Sequence, residues 1–139
     1  MTIWFAWRAK TAAEQAREAA QQVKNRLVTL DALADVSAAI ATLSEIKTLQ
    51  RLRAWELVLD RYTALRRVLV RVSESNLSGA QSTQVTRALR HFRIIEEKVE
   101  RARATQQQEK LDSADFNTIV ARQIDELEGT MMAIRRTGV

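Results

Sequence analysis

From Arg53 to Val72 the chain reads RAWELVLDRYTALRRVLVRV. Wound as an α-helix at about 100° per residue, this stretch gathers Trp55, Val58, Leu59, Tyr62, Leu65, Leu69 and Val72 on one face. Leu57, Val68 and Val70 widen that face past half the circumference. Arg53, Glu56, Asp60, Thr63, Arg67 and Arg71 are left on a narrow polar strip. A helix apolar over so wide an arc needs several neighbours to cover it, so the stretch is expected at the centre of a bundle. Arg66 lies at the edge of the apolar face, placed to cover it with its stem and to stack on Trp55.

The rest of the chain fits helical neighbours. It has 139 residues, one domain's worth, with no proline and glycine only at positions 79, 129 and 138. Hydrophobic stripes predict an all-α antiparallel bundle of about five helices, near 2–28, 32–50, 53–73, 80–105 and 114–136. Residues 1–28 are expected to protrude and lead into the bundle 29–139. Val28–Asp31 is expected to turn, with Thr29 or Asp31 as a cap. The next core face is Leu33, Val36, Ile40, Leu43, Ile46 and Leu49. From Leu43 to Trp55 apolar residues recur every third position, a stripe that wraps round a straight helix. A turn near Gln50–Arg53 is therefore expected. Ser73–Gly79 and Gln106–Lys110 read as loops, and Ser113, or Asp112 before it, caps the last helix. Phe92 and Phe116 anchor the stripes of the last two helices. These carry basic and acidic outer faces respectively, an invitation to pair across their flanks.

A hairpin with Trp55 opening its second helix and Tyr62 within it loosely resembles a tetratricopeptide repeat unit. The likeness is confined to those two residues, lacks the family's glycine and proline, and does not recur. The alanine-rich first helix followed by the hairpin also resembles bacterial membrane-anchored helical proteins, which implies a cytoplasmic head.

No cysteine is present, which excludes disulfides, thiolate metal sites and cysteine nucleophiles. His91 is the only histidine and has no carboxylate at i±4, so neither a metal nor another cofactor is expected. The acids alternate with arginines on outer faces instead of converging, and phosphate-loop and hydrolase motifs are missing. The expectation is a protein without enzymatic activity.

Two patterns bear on binding. Trp4 and Trp7 precede Arg8 and Lys10, the arrangement found where a helix leaves a membrane on its cytoplasmic side. On one reading Ile3–Lys10 is the last turn of a transmembrane helix whose upstream part lies outside this sequence. On the other, the aromatics dock on the bundle or on a second copy. Within the sequence itself no stretch approaches the roughly 20 apolar residues that span a bilayer. The second pattern is a net charge of +5 carried by 17 Arg against 5 Lys. Arg53, Arg67 and Arg71 share one helix strip and Arg87, Arg90 and Arg101 another, candidates for gripping a phosphate-bearing ligand such as a nucleotide. Interleaved acids (Glu56, Asp60, Glu97) disfavour nucleic acid. The expected partner is a protein, a second copy of the chain or a membrane surface. The expected location is the cytoplasm, at its membrane face.

Overall fold

A computed structural model describes the backbone of residues 2–75 and 79–137 and the side chains of 11–75 and 79–136. The chain forms four helices: α1 (Thr2–Arg51), α2 (Trp55–Glu74), α3 (Gly79–Ala104) and α4 (Ser113–Thr137), with one 3-10 turn at Gln108–Lys110. Each packs antiparallel to its sequence neighbour, and α4 closes the ring against α1. The core lies inside the ring, where Val36, Leu43 and Ile46 meet Val58, Tyr62, Leu65, Leu69, Val85, Ile95, Val99, Val120 and Leu127.

The expected break at 28–31 does not exist. α1 runs through it, so the first two expected helices are one. The Thr29 hydroxyl donates back to the Asn25 carbonyl at 3.0 Å, four residues earlier, instead of capping a new helix. Alanine-rich flanks favour continuation.

The second expected break is present, and its geometry explains why no glycine marks it. The Ala54 amide reaches the Leu49 carbonyl (3.0 Å) and the Arg53 amide the Gln50 carbonyl (3.1 Å). This is the two-bond pattern that closes a helix around a left-handed residue. That residue is Arg53, at φ 56°. The same device ends α3: Gln107 and Gln106 donate to Ala102 and Arg103, with Gln106 at φ 56°. α4 is capped by Asp112, whose Oδ1 accepts the Asp115 amide at 3.0 Å. Of the expected loop at 73–79, Ser73 and Glu74 belong to α2, and 76–78 lie outside the described residues.

α2 is not central. In a ring of four it meets two neighbours, and Leu57 and Val70 face solvent. Arg66 does not stack on Trp55; it pairs with Glu96 at 3.4 Å. Asp60 and Arg61 are exposed, and Arg61 pairs with Glu45 of α1. Among the described residues no ion pair joins α3 to α4. That seam is bridged by Thr130 bonding to Gln84.

Candidate interaction surfaces

α1 is the longest element, and only part of it belongs to the ring. Ala32, Val36, Ala39, Leu43, Ile46 and Gln50 are buried and face inward at alternating steps of four and three. Traced back at the same steps, this line becomes Thr29, Asn25, Gln22, Glu18, Gln15 and Thr11, all polar. Every residue from Ala12 to Val28 is exposed. Before Ala32, α1 is therefore an arm of about 45 Å at 1.5 Å per residue, projecting beyond the head. On the arm the apolar side chains change sides. Val23, Leu27 and Leu30, more than half exposed, lie away from the head-facing line. By length and composition alone α1 could also cross a membrane, since an 18-residue window within Thr11–Arg51 reaches a mean hydropathy of 1.5. That window is no unbroken apolar run, because scattered charges interrupt α1. The side chains of Trp4, Trp7, Arg8 and Lys10 lie outside the described residues.

The six candidate arginines do not form one site. Arg53 is occupied at the base of the head. Its guanidinium donates to the carbonyls of Leu111 (3.1 Å) and Gln108 (2.6 Å) and sits over the Trp55 ring at 5.4 Å. It fastens the α1–α2 turn to the α3–α4 connection and has little left for a ligand. Arg71 pairs with Asp35 of α1 at 3.4 Å. Arg67 is exposed on the flank of α2. Arg87 and Arg90 line a shallow depression of about 250 Å³ on α3, with Ser82, Thr83 and Thr86. Arg101 lines a cleft of about 330 Å³ where α3 meets α4, beside Lys98 and Lys110. Asp112 and Asp115 share that cleft and dilute its positive charge.

The expected anchors are packing residues. Trp55 and Phe116 meet edge to face at 6.0 Å, and Tyr62 lies against Phe92 at 5.9 Å. Leu59 is half-buried at the core's margin. Around Tyr62 runs a polar chain that joins three helices and that no single helix face displays. Its hydroxyl donates to Gln50 Oε1 (2.8 Å), Gln50 Nε2 donates to Asn117 Oδ1 (2.6 Å), and Asn117 Nδ2 donates to the Lys47 carbonyl (3.1 Å). Gln50 is completely buried. The signal for it was present: Gln50 continues the Leu43–Ile46 line by one more step. Burial, with the Glu96 carboxylate adding to it, pushes the Tyr62 phenol well above its ordinary range. Burial also raises Glu96, an effect the nearby Arg66 opposes. Both groups are enclosed by packing, and neither lines any of the clefts described above.

Gln123 is buried within the apolar face of α4, and its Oε1 accepts no hydrogen bond among the described residues. Among the same residues the Trp55 Nε1–H donates to no acceptor and Glu126 Oε2 accepts from no donor. Among the described residues no three His, Asp or Glu side chains are grouped to hold a metal ion. His91 is half-buried beside the α3 core stripe. Comparison with known proteins finds no matching family model, no matching curated protein and no matching solved structure.

Proposed function

We propose that this chain is a non-enzymatic interaction module, a four-helix head that presents a projecting helical arm, working at the cytoplasmic face of a membrane. The observation that carries this is the uncovered arm. Single exposed apolar residues are common on any surface, but Val23, Leu27, Val28 and Leu30 fall within about two turns of one helix. The head needs none of them, because its core closes from Ala32 onward. The membrane side of the proposal is supported by the Trp4, Trp7, Arg8, Lys10 pattern at the start of the arm. Flotation of the chain with vesicles containing phosphatidylserine tests it. The parent should float, and Trp4→Ala/Trp7→Ala should stay in the dense fraction. If the parent fails to float, the membrane assignment falls.

A second proposal, sensing of a phosphate-bearing small molecule, is favoured by one observation. Lys98, Arg101 and Lys110 line a single cleft large enough for such a group. Calorimetric titration with a nucleotide panel should show binding that Arg101→Glu abolishes. No heat from any nucleotide would remove this alternative.

A further inference from the structure

We infer that the arm and the outer face of α1 form a continuous two-helix coiled-coil seam with a second copy of this chain. The inference rests on the interaction-module proposal and names its partner. Beginning at Ala13 and stepping three and four residues in strict alternation, α1 presents Ala13, Ala16, Ala20, Val23, Leu27 and Leu30, then Ala34, Ser37, Ala41, Ser44 and Thr48. Every one of these residues is exposed, and none carries charge. The uncharged alternation continues for about five heptads, and its unbroken apolar part, Ala13 to Ala34, spans about three, the length at which a coiled coil begins to be marked. At about 1.5 Å per residue the seam is some 54 Å long.

The seam is not the head's own core stripe carried outward. The head-facing line turns wholly polar on the arm, from Thr29 back to Thr11, while the outer line is apolar along the arm and continues over the head as small uncharged residues, Ser37, Ser44 and Thr48 among them. None of α2, α3 or α4 covers it. The largest residues cluster at Val23, Leu27 and Leu30, where removal from water would be worth most. The alanines on either side let two helix axes approach closely.

Charges beside the seam suit a second copy. The flanking positions next to the seam carry Arg17, Lys24, Arg26 and Lys47, with Asp31 and Glu45 as the acids among them, Glu45 being already paired with Arg61 of its own chain. In a parallel in-register pair, heptad geometry sets Asp31 of each copy against Arg26 of the other. In an antiparallel pair with Leu27 against Leu30, Asp31 faces Lys24 instead. Either way the two-fold axis makes the opposite-charge contact twice, and the surface is complementary to itself.

The test uses the full chain in sedimentation equilibrium at micromolar concentrations. The parent should be dimeric. Leu27→Glu/Leu30→Glu should weaken association by about a hundredfold or more, given what two buried leucines contribute. Its thermal transition should match that of the monomeric parent, because neither side chain touches the head. Asp31→Arg should weaken the dimer too. The chain has no cysteine, so single cysteines report geometry cleanly. Val23→Cys should oxidise to a self-disulfide in a parallel pair, and Val23→Cys/Ala34→Cys to a double disulfide in an antiparallel one. A parent that stays monomeric, a Leu27→Glu/Leu30→Glu variant that dimerises as strongly as the parent, or cysteines that fail in both arrangements would overturn the inference. A monomer that still floats on vesicles leaves the interaction-module proposal standing without a second copy. A dimer that does not float removes the membrane and leaves the seam.

Discussion

Arg53 and Gln106 share an uncommon backbone conformation, each at φ 56°, and each closes a helix. For a residue with a Cβ the left-handed region costs roughly 1–2 kcal/mol, which glycine avoids. The side chains differ in what offsets that cost. Gln106 is exposed and donates no hydrogen bond across the head, so Gln106→Gly should raise stability by about 0.5–1 kcal/mol, read from the urea midpoint. Arg53 holds two carbonyls and covers Trp55, so Arg53→Gly should lower the midpoint despite relieving the same backbone. Glu96 adds a dependence on pH. Its side chain is 7% exposed, and burial raises its folded-state pKa even with Arg66 3.4 Å away. Well below the ordinary carboxylate range both folded and unfolded chains hold the proton, and the site is neutral to stability. As pH climbs through the raised value, the folded chain must ionise a buried carboxyl and loses stability relative to the unfolded chain. Glu96→Gln should therefore raise the melting temperature at pH 7, with the gain shrinking toward about pH 4. A gain of equal size at both pH values would show that ionisation is not its source.

Among the helices, hydrophobic spacing located the inward faces well and the boundaries less well. Val36, Leu43, Ile46, Tyr62, Leu65, Phe92 and Phe116 lie where the stripes put them, because each helix buries one side against the ring. The turn after Gln50 was legible because a three-residue repeat cannot stay on one face. The turn expected at 28–31 is absent because Thr29 and Asp31 are cap residues by type only, and a threonine within a helix bonds just as well to the carbonyl four residues back. The breadth of the apolar face on α2 suggested a central helix. Leu57 and Val70 show that breadth alone does not count neighbours. The six arginines could be placed on helix faces from sequence but not brought together, since a wheel holds no register between helices. In α4 one element-level weakness remains. Gly129 sits on an exposed helical face with open space where a Cβ would stand. Gly129→Ala should stabilise the helix by about 0.8–1 kcal/mol and raise the urea midpoint at unchanged slope.

At the scale of the whole molecule, one helix serves two structures. Its last two fifths, from Ala32 on, form a wall of the head, and the part before Ala32 stands free of it. Leu43 and Leu30 sit on the same helix and differ in what surrounds them. Leu43 is fully buried, and Leu30 is 54% exposed. Truncating Leu43 removes contacts with the ring and leaves a cavity that close packing fills only in part. Leu43→Ala should cost the head about 2–5 kcal/mol. Leu30→Ala leaves no cavity, and for chains held dilute the head's unfolding free energy should stay within about 0.5 kcal/mol of the parent. The comparison also separates head from arm through concentration. Partner-linked stability grows with protein concentration when only the folded, associated form is favoured. The parent's melting temperature should therefore rise with concentration, and Leu30→Ala should flatten that rise. Leu43→Ala should lower the whole curve while keeping its slope. Equal losses from both truncations in dilute solution would mean that the arm folds back onto the head, and that its exposed leucines are covered by the chain itself.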